Sequence, residues 1–288
     1  MKPLILISPW FGPWPEWINF FIESCKWNPE VDWFIPTDQQ PPENTAPNVR
    51  YERLSFDDYK RQAGSALGVN TAKMTPYKLC DLRPFFGLVH EAHLAGYRHF
   101  GYCDIDVIFG DLRAVYTDRL MSSYDAISAH QRFLSGHLAV FRNTRRMRQF
   151  GKSISRWRSR LEAPGHFGLD ERDFSKRVRP RRRRWIRRLL APTSLYVERF
   201  STPDALIPWP DGSPGPTSWT WVGGRLGNEL GGADSLYLHF MNWQSNRWRK
   251  ADEGPAPWTR LERIVQCDWR EAAERGFSIS PQGIRALP

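Results

Sequence analysis

Asp104-Ile105-Asp106 places two carboxylates one residue apart, directly after the run Tyr97 to Cys103 and before Val107-Ile108-Phe109. Seventeen aspartates in 288 residues produce roughly one Asp-x-Asp by chance, so the tripeptide means nothing without its context. Here the preceding run reads as a central strand, and ligands of open α/β sheets bind outside the carboxyl ends of strands. Two carboxylates at such a place repel each other and lose hydration unless a cation neutralises them. Oxygen ligation at this spacing suits Mg²⁺ or Mn²⁺, which keeps waters and shares its shell with a diphosphate. The plainer alternative is a helix cap or turn that uses Asp. Later in the chain, Leu236 to Phe240 is an apolar run with a single histidine, His239, followed by Met241-Asn242-Trp243. On its own, such a histidine is more often a hydrogen-bonded core residue than a ligand.

The elements that must position these groups follow from periodicity. Leu4 to Ser8 is an apolar strand that exits sharply through Pro9-Trp10-Phe11-Gly12-Pro13. A helix is expected from about Pro15 to Lys26, then a strand from Val31 that ends in Thr37-Asp38. A strand over Val49 to Leu54 and a helix over Phe56 to Leu67 come next. A helical stretch from Tyr77 to Ala95 is interrupted by Pro84. This alternation predicts βαβ units and a mainly parallel sheet. Beyond Phe109 the pattern is mixed. Strands are expected over Asp125 to Ala129, His137 to Phe141, Ser194 to Phe200, Ser218 to Val222 and Ser235 to Phe240. A basic helix is expected over Asn143 to Leu161, and a loop over Pro208 to Pro216. No internal repeat and no clean linker divides the chain.

An ordered set of features now resembles a known family. It comprises the aromatic-Gly exit from the first strand, Thr37-Asp38 after the second, and Tyr77-Lys78-Leu79-Cys80-Asp81-Leu82-Arg83-Pro84. The aspartate pair, Ser135-Gly136-His137-Leu138-Ala139-Val140-Phe141-Arg142-Asn143 and a late His-Phe-x-Asn-Trp complete it. Over about residues 4–143 and 194–245 the chain resembles a bacterial GT-A glycosyltransferase with a DxD motif, of the polysaccharide and capsule biosynthesis type. The resemblance implies an α/β GT-A fold, a Rossmann-like nucleotide-diphospho-sugar transferase with a mixed central sheet. It implies Mn²⁺- or Mg²⁺-dependent transfer of a sugar from a nucleotide-diphosphate donor, a UDP-sugar above all, to a glycan or lipid-linked glycan.

Site residues carry over by position. Asp104 and Asp106, with Ile105 between them, match the DxD that holds metal against the diphosphate, and His239 matches the late histidine that completes the metal shell. Trp10, Phe11 and Gly12 are expected near the nucleotide, and Thr37 and Asp38 near its base or ribose. Lys78 and Asp81 match helix residues facing the donor, although a salt bridge within that helix would use the same pair. Gly136, His137 and Trp243 are expected on the acceptor side. Asp170 and Glu171, after Gly168-Leu169, resemble the acidic element that such enzymes present to acceptor or donor sugar. One of them could serve as general base, or the pair could be first-turn acid at a helix start. One departure stands out: Gln244 follows the late Asn-Trp where a Lys reaching for phosphate would be clearer.

Composition excludes several other classes. Hydrophobic residues make up 41% and charged residues 25%, which supports a real core and argues against disorder as the main state. Cys25, Cys80, Cys103 and Cys267 are far apart and form no C-x-x-C pair, so free thiols in a reducing cytosol are expected. No apolar run approaches the roughly 18 residues of a membrane span, and the N-terminus is too short in apolar residues for a signal peptide. Fourteen tryptophans fit sugar-stacking sites as well as core filling. The net charge of +10 is uneven, with 17 Lys/Arg against 4 Asp/Glu between Arg145 and Arg188 and 24 against 27 elsewhere. Arg172 to Arg188 mixes Arg with Trp and Ile, which suits an anionic membrane surface, with a nucleic-acid contact or a solvated loop as the alternatives.

The sequence therefore points to one GT-A-like unit over residues 1–288. A nucleotide-sugar-binding half spans 1–115, an acceptor-side half spans 116–245 with a basic insertion at 145–192, and a C-terminal extension spans 246–288. It is expected in the cytoplasm, peripheral on the inner face of the membrane. A haloacid-dehalogenase-like phosphatase also uses Asp-x-Asp after a strand, but normally its first strand, and Ile108 stands here where that motif has Thr or Val. A nucleic-acid binder would spread its basic residues over a face with interleaved aromatics, whereas this charge is confined to one segment, and no specific nucleic acid is expected.

Overall fold

The computed structural model describes residues 2–180, 190–205, 207–231, 234–248 and 254–288. Its frame is four parallel strands, β1 (Lys2–Ile7), β2 (Val31–Thr37), β3 (Val49–Arg53) and β4 (Tyr97–Cys103), in the order β3-β2-β1-β4. The unbroken apolar run of β1 is explained by burial on both faces. Leu4 and Leu6 enter one core cluster with Val31, Trp33 and Ile35, while Ile5 and Ile7 enter a second with Tyr59, Phe85 and Tyr102.

After β4 the chain passes through the aspartate pair into β5 (Val107–Phe109), which leaves the main sheet. β6 (Ala126–Ser128), β7 (Leu138–Arg142) and β8 (Ser194–Tyr196) extend that sheet to seven strands. β7 runs antiparallel to both β4 and β6, and β6 pairs with β8 in parallel, so the sheet is mixed. β9 (Trp219–Val222) and β10 (Arg225–Asn228) form a hairpin. β11 (Tyr237–His239) pairs antiparallel with β5. β12 (Phe277–Ser280) and β13 (Gly283–Ala286) join β9 and β10 in a four-stranded sheet. The third core cluster lies there, around Trp219, Trp221, Trp243, Trp258 and Phe277.

α1 (Ile18–Lys26) and α2 (Phe56–Leu67) fall where periodicity places helices, and α2 begins at a Ser55 cap that accepts from the Asp58 amide. Two expectations need correction. The stretch Tyr77 to Ala95 is a chain of short 3₁₀ and α turns, with Pro84 in the first turn of one of them. The basic helix expected over Asn143 to Leu161 is broken into Arg145–Gln149 and Trp157–Glu162. Gly151 lies so close to Pro84 that a Cβ would meet its carbonyl oxygen at 2.3 Å, and Arg156 adopts a left-handed φ of 54°. Close packing of this segment against the Pro84 turn therefore overrides helix propensity. All four cysteines are free thiols. Among the described residues, no helix is long and apolar enough to cross a membrane. Much of the Arg172 to Arg188 segment, residues 181–188, lies outside the described residues.

Candidate active site

Strand register brings the sequence-distant candidates to one edge. Ile7 is paired with Phe34 on one side and Tyr102 on the other, so the exits of β1, β2 and β4 open together, next to the entry of antiparallel β7. Ser8 Oγ donates to the Cys103 carbonyl at 2.8 Å. The Trp10 amide donates to the Pro36 carbonyl at 2.9 Å, and the Gly12 amide to Asp38 Oδ1 at 3.0 Å. Trp10, Gly12, Thr37 and Asp38 are thereby gathered, and the Asp38 carboxyl is held below its usual range. Burial opposes that shift, but the Gly12 amide and the Gln39 side chain outweigh it. Phe11 corrects an expectation: its ring packs 5.1 Å from both Phe56 and Tyr59 in the core.

The aspartate pair sits at the same edge. The Asp104 amide donates to the His137 carbonyl at 3.2 Å, and the buried Ile105 offers its carbonyl to the Trp17 indole at 3.1 Å. Because β11 pairs with β5, His239 lies opposite Val107 and so beside Asp106. One ligand atom each from Asp104, Asp106 and His239 fall within 4.8 Å of one another. The Asp104 and Asp106 side chains are 28% and 16% exposed, that of His239 only 4%.

His239 Nδ1 and Thr202 Oγ1 are 3.2 Å apart. With the Nδ1 proton donated to that hydroxyl, Nε2 keeps its lone pair. Nε2 is buried, 3.5 Å from Asp106 Oδ1, and has no hydrogen-bond partner. A buried acceptor without a partner costs free energy, and coordination would satisfy it. Burial pushes the Asp104 carboxyl up, reinforced by Asp106 and opposed by Arg83. Asp106 is pulled down, because His239 outweighs the effect of burial. His239 is raised against its burial by the two carboxylates. Two carboxylates and an oriented imidazole at a half-open mouth fit a divalent cation.

Arg83, which sequence reasoning passed over, is central to the site. Its guanidinium pairs with Asp104 through Nη2 and with Asp170 through Nη1, the latter at 2.9 Å. Asp170 is 2% exposed and committed to this pair, whereas its neighbour Glu171 accepts the Gly136 amide at 3.0 Å through Oε1. Burial and the adjacent Asp170 raise the Glu171 carboxyl to about 7. A Cβ at Gly136 would lie 2.6 Å from that Glu171 oxygen and 3.0 Å from Arg83 Nη1, so a larger residue there would push both side-chain ends aside. The one available signal for Arg83 was a cation flanked by apolar residues just before Pro84. Gln244 was noted only as a departure, yet its side-chain amide donates to Asp106 Oδ2.

Lys78 and Asp81 are bound within the fold. Both side chains are fully buried, 3.4 Å apart. Lys78 Nζ also donates to the carbonyls of Arg160 at 2.8 Å and Gly165 at 2.6 Å, and Asp81 accepts the amides of Phe167 and Leu169, each at 2.9 Å. The pair anchors the segment leading to Asp170 and Glu171. Trp243 is likewise corrected: it is 1% exposed and packs 5.9 Å from Trp258 in the core. His137 is half-buried beside the Asp104, Asp106 and His239 group, its ring stacked 4.1 Å from that of His239.

Residues 6–251 match the Family of unknown function (DUF6625), and the chain belongs to that family. No curated protein matches it. Among solved structures, it is similar to the galactosyltransferase LgtC in complex with donor and acceptor sugar analogs, at 9% identity and a TM-score of 0.43, over 92% of this chain and 99% of that one. An active-site mutant of LgtC matches at the same values. The glycosyltransferase GlyE of Streptococcus pneumoniae TIGR4 matches at 11% identity and a TM-score of 0.27, over 53% of this chain and 36% of that one.

Proposed function

We propose that this member of the DUF6625 family is a metal-dependent glycosyltransferase of the GT-A type. It moves a sugar from a nucleotide-diphosphate donor, a UDP-sugar, to a hydroxyl of a glycan or lipid-linked glycan in bacterial surface polysaccharide synthesis. The observation that carries this reading is the meeting of the buried His239 Nε2, which has no hydrogen-bond partner, with Asp104 and Asp106 at the carboxyl ends of parallel strands. Asp104, Asp106 and His239 would hold a divalent cation there, which would supply Lewis-acid stabilisation of the negative charge on a departing nucleoside diphosphate.

The chain's own residues do the rest. The loops carrying Trp10, Gly12, Thr37 and Asp38, tied together at the exits of β1 and β2, bind the nucleoside, with the Asp38 carboxylate offered to ribose or base. The acceptor side lies at the entry of β7, around Gly136. In the transfer, the acceptor oxygen bonds to the anomeric carbon as the bond from that carbon to the diphosphate oxygen breaks. The hydroxyl proton goes to Glu171. Its carboxyl, raised to about 7, is matched to that exchange near neutral pH, whereas the ion-paired Asp170 is a positioning residue that fixes Arg83. The whole chain acts as one GT-A-like unit at the cytoplasmic membrane face, drawn there by the basic segment Arg172 to Arg188.

Calorimetric titration of UDP and GDP, with Mn²⁺, with Mg²⁺ and with EDTA, on wild type and Asp106→Asn, tests the reading. Metal-dependent binding of UDP that vanishes in the variant is the expected result. Binding of neither nucleotide under any metal condition would overturn it.

A further inference from the structure

The histidine expected on the acceptor side stands in an unusual relation to the metal-binding one. Tyr237 and His239 are two residues apart on β11 and so point to the same face of that strand. His137, at the entry of β7, is placed against both. Its Nε2 lies 2.8 Å from the Tyr237 hydroxyl, and its ring is stacked on His239 at 4.1 Å with 25° between the planes. The same residue's carbonyl receives the Asp104 amide at 3.2 Å. One residue therefore touches two arms of the metal-binding group, one through its backbone and the other through its ring.

The His239 ring is buried, and Asp106 faces its Nε2 edge at 3.5 Å. Thr202 meets its Nδ1 edge, and the His137 ring covers its face. A flat neighbour stacked on the ring opposes tilting, because tilting the imidazole would drive it into the stack. Groups that orient a ligating imidazole typically account for 10–100-fold in metal affinity.

We propose that His137 is a positioning residue for the metal site. Its ring, held by the Tyr237 hydroxyl, clamps the His239 imidazole in the plane that aims Nε2 at the cation shared with Asp104 and Asp106. The inference rests on the metal-dependent reading above. It also assigns His137 to the metal site rather than to the acceptor.

Two substitutions separate ring stacking from hydrogen bonding. His137→Gln keeps a group able to reach the Tyr237 hydroxyl and removes the ring, whereas His137→Phe keeps a flat ring and removes the hydrogen bond. Mn²⁺ affinity, read by the loss of the free-Mn²⁺ paramagnetic resonance signal without and with UDP, is the measurement, alongside circular dichroism and thermal unfolding in EDTA. His137→Gln is expected to weaken Mn²⁺ binding about tenfold at unchanged metal-free unfolding temperature. His137→Phe should stay within about threefold of wild type on the same scale. Wild-type affinity in His137→Gln would overturn the inference, as would loss of folded structure in both variants, which would make His137 a fold residue. If the wild-type protein itself binds no Mn²⁺, with UDP present or absent, the functional reading fails first.

Discussion

The side-chain amide of Gln244 donates to Oδ2 of Asp106, the carboxylate whose Oδ1 faces His239. The carboxylate is thus gripped from the turn Met241–Gln244 that follows β11, and its orientation depends on a residue far away in sequence. Gln244→Leu removes the donor while keeping bulk. Metal-dependent UDP binding should weaken about tenfold in calorimetry, with metal-independent stability unchanged. Undiminished binding would show that Asp106 is oriented without it.

Arg83 satisfies two acidic groups at once, with its own side chain 13% exposed and that of Asp170 3% exposed. Removing one partner of a buried ion pair leaves an uncompensated charge and costs about 3–5 kcal/mol. Arg83→Met should lose stability of that order in urea denaturation at neutral pH. Arg83→Met with Asp170→Asn should recover a substantial part of it, because the stranded carboxylate is gone. Equal stability of the single and double variants would refute the bridge.

Lys78→Met tests whether this buried lysine anchors a loop or touches a donor. The buried pair with Asp81 and the two carbonyls it binds predict a stability loss of about 3–5 kcal/mol, read as a lower urea midpoint. Loss of nucleotide binding at wild-type stability would instead return Lys78 to the donor site.

Glu171 gives the folded chain a pH signature. Its carboxyl titrates at about 7 when folded, against an ordinary 4.5. Between those values the folded state holds a proton that the unfolded chain has released, so stability falls as pH rises from about 4.5 to about 7 and levels off above. Glu171→Gln carries no charge to bury. In EDTA, its stability relative to wild type should therefore increase across that window. Parallel pH profiles of the two proteins would sink the assignment.

The parallel frame was legible because its signal is local. Leu4 to Ile7 is too apolar for a half-exposed strand, and Ser55 followed by two acids announces α2. The aspartate pair was legible for the same reason, as carboxylates next to a strand. What pattern could not supply was anything decided by long-range approach. Arg83 meets Asp104 and Asp170 across 21 and 87 residues of chain, and no periodicity encodes that meeting. Trp243 and Phe11 were misplaced because an aromatic side chain near a motif reads alike whether it points at a ligand or into a core. The basic helix failed at Gly151, where backbone contact with Pro84 outweighs the propensity of the surrounding residues.

The four-stranded sheet of β10, β9, β12 and β13 crosses the limit of the family match at residue 251. β12 pairs with β9, and Phe277 stacks on Trp221 at 4.9 Å and meets Phe20 edge-on at the same distance. Trp258 packs on Trp17, Phe240 and Trp243, and Phe240 is the residue after His239. A recombinant fragment trimmed to the family boundary would therefore strip the wall behind His239. It would expose a tryptophan-rich face that invites aggregation, and its inactivity would say nothing about the chemistry of the intact chain.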